Sequence, residues 1–393
     1  MLKRATQLLL IVLALVSCQE KSGYDSPIEG EIQSVSFTLN SYDYGDLLTK
    51  SDYDSGADIF NWSEGDAVGI MSPEGSQLRF PIRQEFYGQS SARFDGRGFA
   101  LKSNTEYSSY YPFIPDFELD PSAVPVSYKG QSMLGDNNTA GLGKFAYTVA
   151  KGSAPSAGVL DFSFQNIGSP HRYRMPALPG EYEMLTLIIP ESEYILNGTI
   201  DLSASDDLGL TVITPTEESN EINLSLSGTT FSSPGPLRCW MMMPPVNLDG
   251  EVIGLTLTLA DGSEIVASVS GRDCPANSRR VFNALTSVYP AESTVGSDGG
   301  AVQVKLIRTA ATDAVTMSVE GDWLNQLSSS TDGLVTTYTF AAATNSGAER
   351  EGRISFTETS TGLTNTVKVI QQKAGTVIGI GGWDTDSYSG KAN

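Results

Sequence analysis

The sequence predicts an all-β protein built of tandem β-sandwich domains. Apolar residues recur with period two in short runs, clusters of Gly, Asn, Asp, Ser and Pro separate those runs, and helical periodicity of useful length is absent. At 393 residues, and with about 150 residues per domain, two or three domains are expected, each able to bury its own core.

Lys3 and Arg4 precede an apolar run from Leu8 to Val16 that ends at Ser17-Cys18, too short to cross a bilayer with margin. A charged start, a short apolar run and a small residue before the break are the parts of a secretory signal peptide, here residues 1–17. Leu15-Val16-Ser17-Cys18 resembles the bacterial lipobox, which implies cleavage before Cys18 and acylation of its thiol. Several acyl chains on one residue, at about 0.8 kcal/mol per buried CH₂, would hold the chain at a membrane surface without a spanning helix. Residues 18–30, polar and rich in Glu, Ser, Gly and Pro, read as a flexible tether.

Strands follow in order. The clearest are Val35–Leu39, Ala67–Met71, Leu185–Ile189 and Ile222–Leu226. Val252–Leu259 and Glu264–Val269 flank Ala260-Asp261-Gly262-Ser263 and predict a hairpin, because Asp-Gly readily takes the positive φ of a tight turn. A stretch poor in large apolar residues, 151–158, divides a sandwich over 31–150 from one over 159–289. A Thr-, Ser- and Val-rich region, 290–374, reads as a third sandwich, and 375–393 as a C-terminal strand and tail.

Charge and cysteine usage bound the partners. A formal net charge of -21 with no basic run among 25 Lys and Arg argues against nucleic acid and suits an exported surface protein. Beyond Cys18, Cys239 and Cys274 are either a disulfide pair in an oxidising compartment or two inert thiols.

Catalytic constellations are missing from the sequence. The one histidine, in Pro170-His171-Arg172-Tyr173, lies in a polar stretch and is expected at the surface. No nucleophile elbow, phosphate loop or zinc motif occurs. Asp206-Asp207 and Asp136-Asn137-Asn138 lack the spacing of a calcium loop and read as turns. No catalytic residue, metal site or cofactor is expected, and the chain is not expected to be an enzyme.

Two resemblances add to this reading. Phe60-Asn61-Trp62-Ser63-Glu64-Gly65-Asp66-Ala67-Val68-Gly69-Ile70, then Tyr110-Tyr111-Pro112-Phe113, then Met241-Met242-Met243-Pro244-Pro245 resemble, in order and spacing over residues 31–289, motifs of the fimbrillin family of Bacteroidetes, the pilins and pilin-like lipoproteins of type V pili. Physically, Gly65-Asp66 supplies a turn before a strand, Trp62 covers the end of a sandwich core, and paired prolines end a strand. The region 290–374 resembles a BACON domain, through Gly321-Asp322-Trp323-Leu324, Tyr338-Thr339-Phe340, Asn345, Arg350, Arg353-Ile354-Ser355-Phe356 and Val367-Lys368-Val369-Ile370-Gln371-Gln372. Together they imply two transthyretin-like pilin domains and an immunoglobulin-like BACON sandwich.

The fimbrillin resemblance implies a pilus subunit or pilus-associated adhesin, lipid-anchored at the outer membrane or cell surface and assembled with other pilin subunits by β-strand exchange. It places proteolytic maturation in the loop after the first strand, at Lys50-Ser51, where Arg is the usual residue. The tail around Val377, Ile378, Ile380 and Trp383 resembles the fimbrillin C-terminus and is a candidate donor strand, or else returns to its own sandwich. The alternative is a monomeric glycan-binding surface lipoprotein of a polysaccharide-uptake system, with the aromatic cluster Tyr107–Phe113 as a platform for host or microbial surface glycans.

Overall fold

A computed structural model describes residues 32–38, 52–54, 59–72, 76–97, 102, 104–115, 119–153, 160–204, 212–312 and 314–375. The described residues form strands, with two short 3₁₀ turns at Gln84–Phe86 and Leu142–Phe145. The fold is all-β. Among the described residues no helix is long and apolar enough to cross a membrane. Cys18, Lys50, Ser51 and the tail residues Val377, Ile378, Ile380 and Trp383 lie outside the described residues.

Three hydrophobic cores organise the described residues. The first lies between a three-stranded sheet, in which Ile32–Thr38 is central, and a five-stranded sheet containing Ala67–Met71 and Glu106–Tyr111. Alternation along the strands sends Val68 and Ile70 inward. Trp62 is fully buried among them, edge-on to Phe94 at 4.8 Å and to Tyr111 at 5.3 Å between ring centroids, the geometry aromatic quadrupoles favour.

The second core packs Ser169–Ala177, Gly235–Met243 and Arg280–Asn283 against strands of a nine-stranded sheet. Cores do not follow the sequence break at 151–158. Val124, Val126 and Tyr128 belong to the second core, whereas Leu160 and Phe162 return to the first. The reason is pairing: Leu160–Ser163 runs parallel to Ile32–Thr38, a contact between segments over a hundred residues apart that local composition does not encode.

The third core is held between the sheet of Glu292–Val295, Thr364–Gln371, Arg350–Glu358 and Val315–Glu320 and the far end of the nine-stranded sheet. That sheet runs on from the second core through Thr286–Tyr289, which pairs with Glu264–Ser270 at Val266↔Val288 and with Gly300–Arg308 on its other side. The joint is polar and buried. The Glu358 carboxylate accepts from the Thr286 backbone N–H at 2.9 Å and from its hydroxyl at 2.8 Å, and Asn365 Nδ2 donates to that hydroxyl at 2.9 Å. Ser287 Oγ donates to the Pro176 carbonyl at 2.7 Å.

Candidate functional site

The two N-terminal motifs meet in one cleft. Gly69 pairs with Tyr110 across adjacent strands, and a Cβ on Gly69 would lie 2.1 Å from Tyr110 Cε1, so only glycine lets the ring cross the strand. Gly65, at φ +90°, turns the chain so that Asp66 Oδ2 accepts from the Ser63 N–H at 2.8 Å. Its other oxygen accepts from Tyr111 Oη at 2.9 Å. The Phe113 N–H donates to the Ala67 carbonyl at 3.0 Å. These bonds fix a cleft of about 330 Å³ lined by Arg79, Tyr111, Pro112 and Phe113. They are ties between loops and strand ends, which is structural work.

The tyrosines of the aromatic cluster are buried. Tyr107, Tyr110 and Tyr111 are each under 5% exposed and belong to the cores, because Glu106–Tyr111 is a strand inside the five-stranded sheet. A glycan platform on Tyr107–Phe113 is therefore not formed by these tyrosines.

The first strand has a well-defined seat. Ile32–Thr38 pairs antiparallel with Ala92–Arg97, from Ile32↔Arg97 to Phe37↔Ala92, and parallel with Leu160–Ser163, from Val35↔Leu160 to Thr38↔Ser163. Its neighbours supply Ala92, Phe94, Leu160 and Phe162 to the first core. A groove left by this strand would thus be edged by main-chain donors and acceptors on both sides and floored by apolar side chains.

His171 is fully buried, contrary to the surface position expected of it. Ser169–Ala177 alternates, and residues 171, 173 and 175 face the core while Arg172 and Arg174 face out. Burial pushes the imidazole down to about 3, with the nearby Arg280 and Arg272 charges adding to the effect, so it stays neutral. Tyr173 Oη lies 3.3 Å from its Nδ1, and Phe282 stacks on Tyr173 at 5.0 Å. Cys239 and Cys274 are buried free thiols, not joined to each other. Burial raises both, Cys274 to about 11, which makes them poor nucleophiles. Among the described residues no group of three or more His, Cys, Asp or Glu could hold a metal ion.

The motif residues of the last sandwich also converge. Arg350 lies over the Trp323 ring at 4.7 Å and donates to Gln371 Oε1 at 2.8 Å. Asn345 Nδ2 donates to the carbonyls of Ala348 and Gln372 at 2.8 and 2.9 Å. Backbone carbonyls take up these donors, so the cluster fastens loops at one end of the sandwich.

One surface was not legible in sequence. The fold assembles Arg172, Arg174 and Arg238 around an open cavity of about 590 Å³, although no basic run exists. The signal available was Arg172 and Arg174 two apart on an alternating strand. What the sequence lacks is their register opposite Trp240 and Arg238.

No protein-family model and no curated protein sequence matches the chain. Among solved structures, the chain is similar to a candidate cell adhesion protein from Bacteroides eggerthii at 9% identity and a TM-score of 0.32, covering 66% of this chain and 88% of that one. It is also similar to the I9–I11 tandem of titin, at 7% identity and a TM-score of 0.17, covering 88% and 99%.

Proposed function

We propose that this chain is a fimbrillin-like pilus subunit or pilus-associated cell-surface adhesin, non-catalytic, exported as a lipoprotein through Cys18 and assembled by β-strand exchange. The observation that carries the reading is the seat of Ile32–Thr38, a central strand held on both sides by ladders and followed in the sequence by Lys50-Ser51. Cleavage at Lys50-Ser51 would free the strand and leave the groove for a strand from another subunit, closing it with main-chain hydrogen bonds while alternating side chains fill the floor. The order of the three fimbrillin-like motifs and the lipobox-like Leu15–Cys18 support it from the sequence.

N-terminal sequencing of the protein shed from cells tests the proposal, together with unboiled gels. A start near Ser51 and a ladder of multimers are expected. A start only at Cys18 with monomer alone would overturn strand exchange and leave a lipid-anchored surface protein.

A further inference from the structure

The outward face of the sheet formed by Gly235–Met243, Ser169–Ala177 and Arg280–Asn283 gathers positive charge in a chain whose formal net charge is -21. Arg172 stands opposite Trp240, and Arg174 stands between Arg238 on one side and Asn283 on the other. Arg172 and Arg174 project from the same face two residues apart, about 7 Å along the strand. Among the described residues Asp136 is the one carboxylate in the cavity lining, against three guanidinium groups.

These cations are held in place before any ligand arrives. The Arg238 guanidinium forks onto Asp136, whose Oδ1 also accepts from the Arg238 backbone N–H at 2.8 Å. The guanidinium carbons of Arg172 and Arg279 each lie 5.5 Å from the Trp240 ring centroid. That indole is fixed in turn by its N–H donating to Asn137 Oδ1 at 3.0 Å. Arg174 makes no hydrogen bond or ion pair through its guanidinium among the described residues, leaving its five donors to solvent.

The lining also decides the class of ligand. A peptide strand would need a free sheet edge, yet the edge of Gly235–Met243 is occupied: Gln131 Oε1 accepts from the Met242 N–H at 2.7 Å, and the Asn137 N–H donates to the Arg238 carbonyl at 2.9 Å. Recognition at that edge must run through side chains. A nucleic acid, with one charge per roughly 1.7 Å of duplex, would extend beyond the cavity over a surface of the same sign. What fits is a short ligand with isolated anionic groups on a neutral, hydroxyl-bearing frame, since Phe231, Pro234 and Pro236 supply apolar walls and Ser233 and Asn283 supply neutral hydrogen-bonding groups. We propose that this face binds an acidic saccharide, a carboxylated or sulfated oligosaccharide, with Arg174 taking an anionic group in fork geometry beside the Arg172 charge. The inference holds for a lone surface protein and for an assembled subunit, and so does not rest on strand exchange.

Binding of the purified full chain to defined tetrasaccharides tests it by calorimetry. An oligogalacturonate and a heparin-derived tetrasaccharide separate carboxylate from sulfate, while maltotetraose, hexaglutamate and a short DNA oligonucleotide are the competing probes. At least one acidic saccharide should bind, more weakly as salt rises, with maltotetraose silent. Arg174→Gln should weaken binding at least about tenfold without shifting the melting temperature, and Arg353→Gln, on the third sandwich, should change nothing. Should Arg172→Gln disturb the Trp240 contact and unfold the chain, Arg174→Gln alone carries the test. The proposal is overturned if neither acidic saccharide binds, if Arg174→Gln binds as well as the parent, or if hexaglutamate or the oligonucleotide binds as tightly as the saccharide.

Discussion

His171 shows how a side chain's surroundings can set its chemistry against its neighbours in sequence. The unfolded chain takes up a proton on this residue near the ordinary value of 6.5, whereas the folded chain does so only near 3. Between those values the unfolded state holds one more proton, so stability falls as pH is lowered through that window. His171→Gln should remove this part of the slope. Urea unfolding at pH 7 and pH 4.5 should show the parent losing about 2 kcal/mol more than the variant, and parallel losses would contradict the burial argument. Gly69 is constrained by its neighbour across the strand. Gly69→Ala drives a methyl into the Tyr110 ring and should cost about 1–3 kcal/mol. A melting temperature equal to the parent's would show that the ring can move aside.

Among elements, Leu324–Asp332 carries the clearest hazard. It is the outer strand of the nine-stranded sheet, exposed along almost its whole length and carrying one charged residue, Asp332. Its pairing with Val335–Ala342 skips Leu327, leaving that residue 65% exposed in a bulge. A bulge twists an edge away from further pairing. Deleting Leu327 should therefore regularise the edge and give concentration-dependent self-association by light scattering, while unchanged scattering would place the protection elsewhere. Elements of this kind divide in how far the sequence announces them. Val252–Leu259, its turn at Gly262 and its partner Glu264–Ser270 were legible, because Asp-Gly and alternation act within a few residues. Ala67–Met71 was legible for the same reason. The parallel seat of Ile32–Thr38 on Leu160–Ser163 and the arginine face were not, because period two states which side of a strand is apolar but not which strand lies next to it. Tyr107, Tyr110 and Tyr111 were ambiguous until pairing placed them inside a sheet.

For the molecule as a whole, the joint between the second and third cores decides how many bodies there are. Domain pairs in one chain ordinarily move against each other unless the interface between them is substantial. Here a sheet crosses the joint, and Glu358 and Asn365 seal it onto Thr286. The two sandwiches should melt in one calorimetric transition. Glu358→Ala strands buried donors of Thr286 and should cost about 1–3 kcal/mol, splitting that transition in two, whereas a single shifted transition would show that the ladder alone couples them. A joint of this kind converts a local tug into leverage. A load taken on the second sandwich would pass in the plane of the sheet into the third as torque, through the Val266↔Val288 pair and the Glu358 contacts on Thr286.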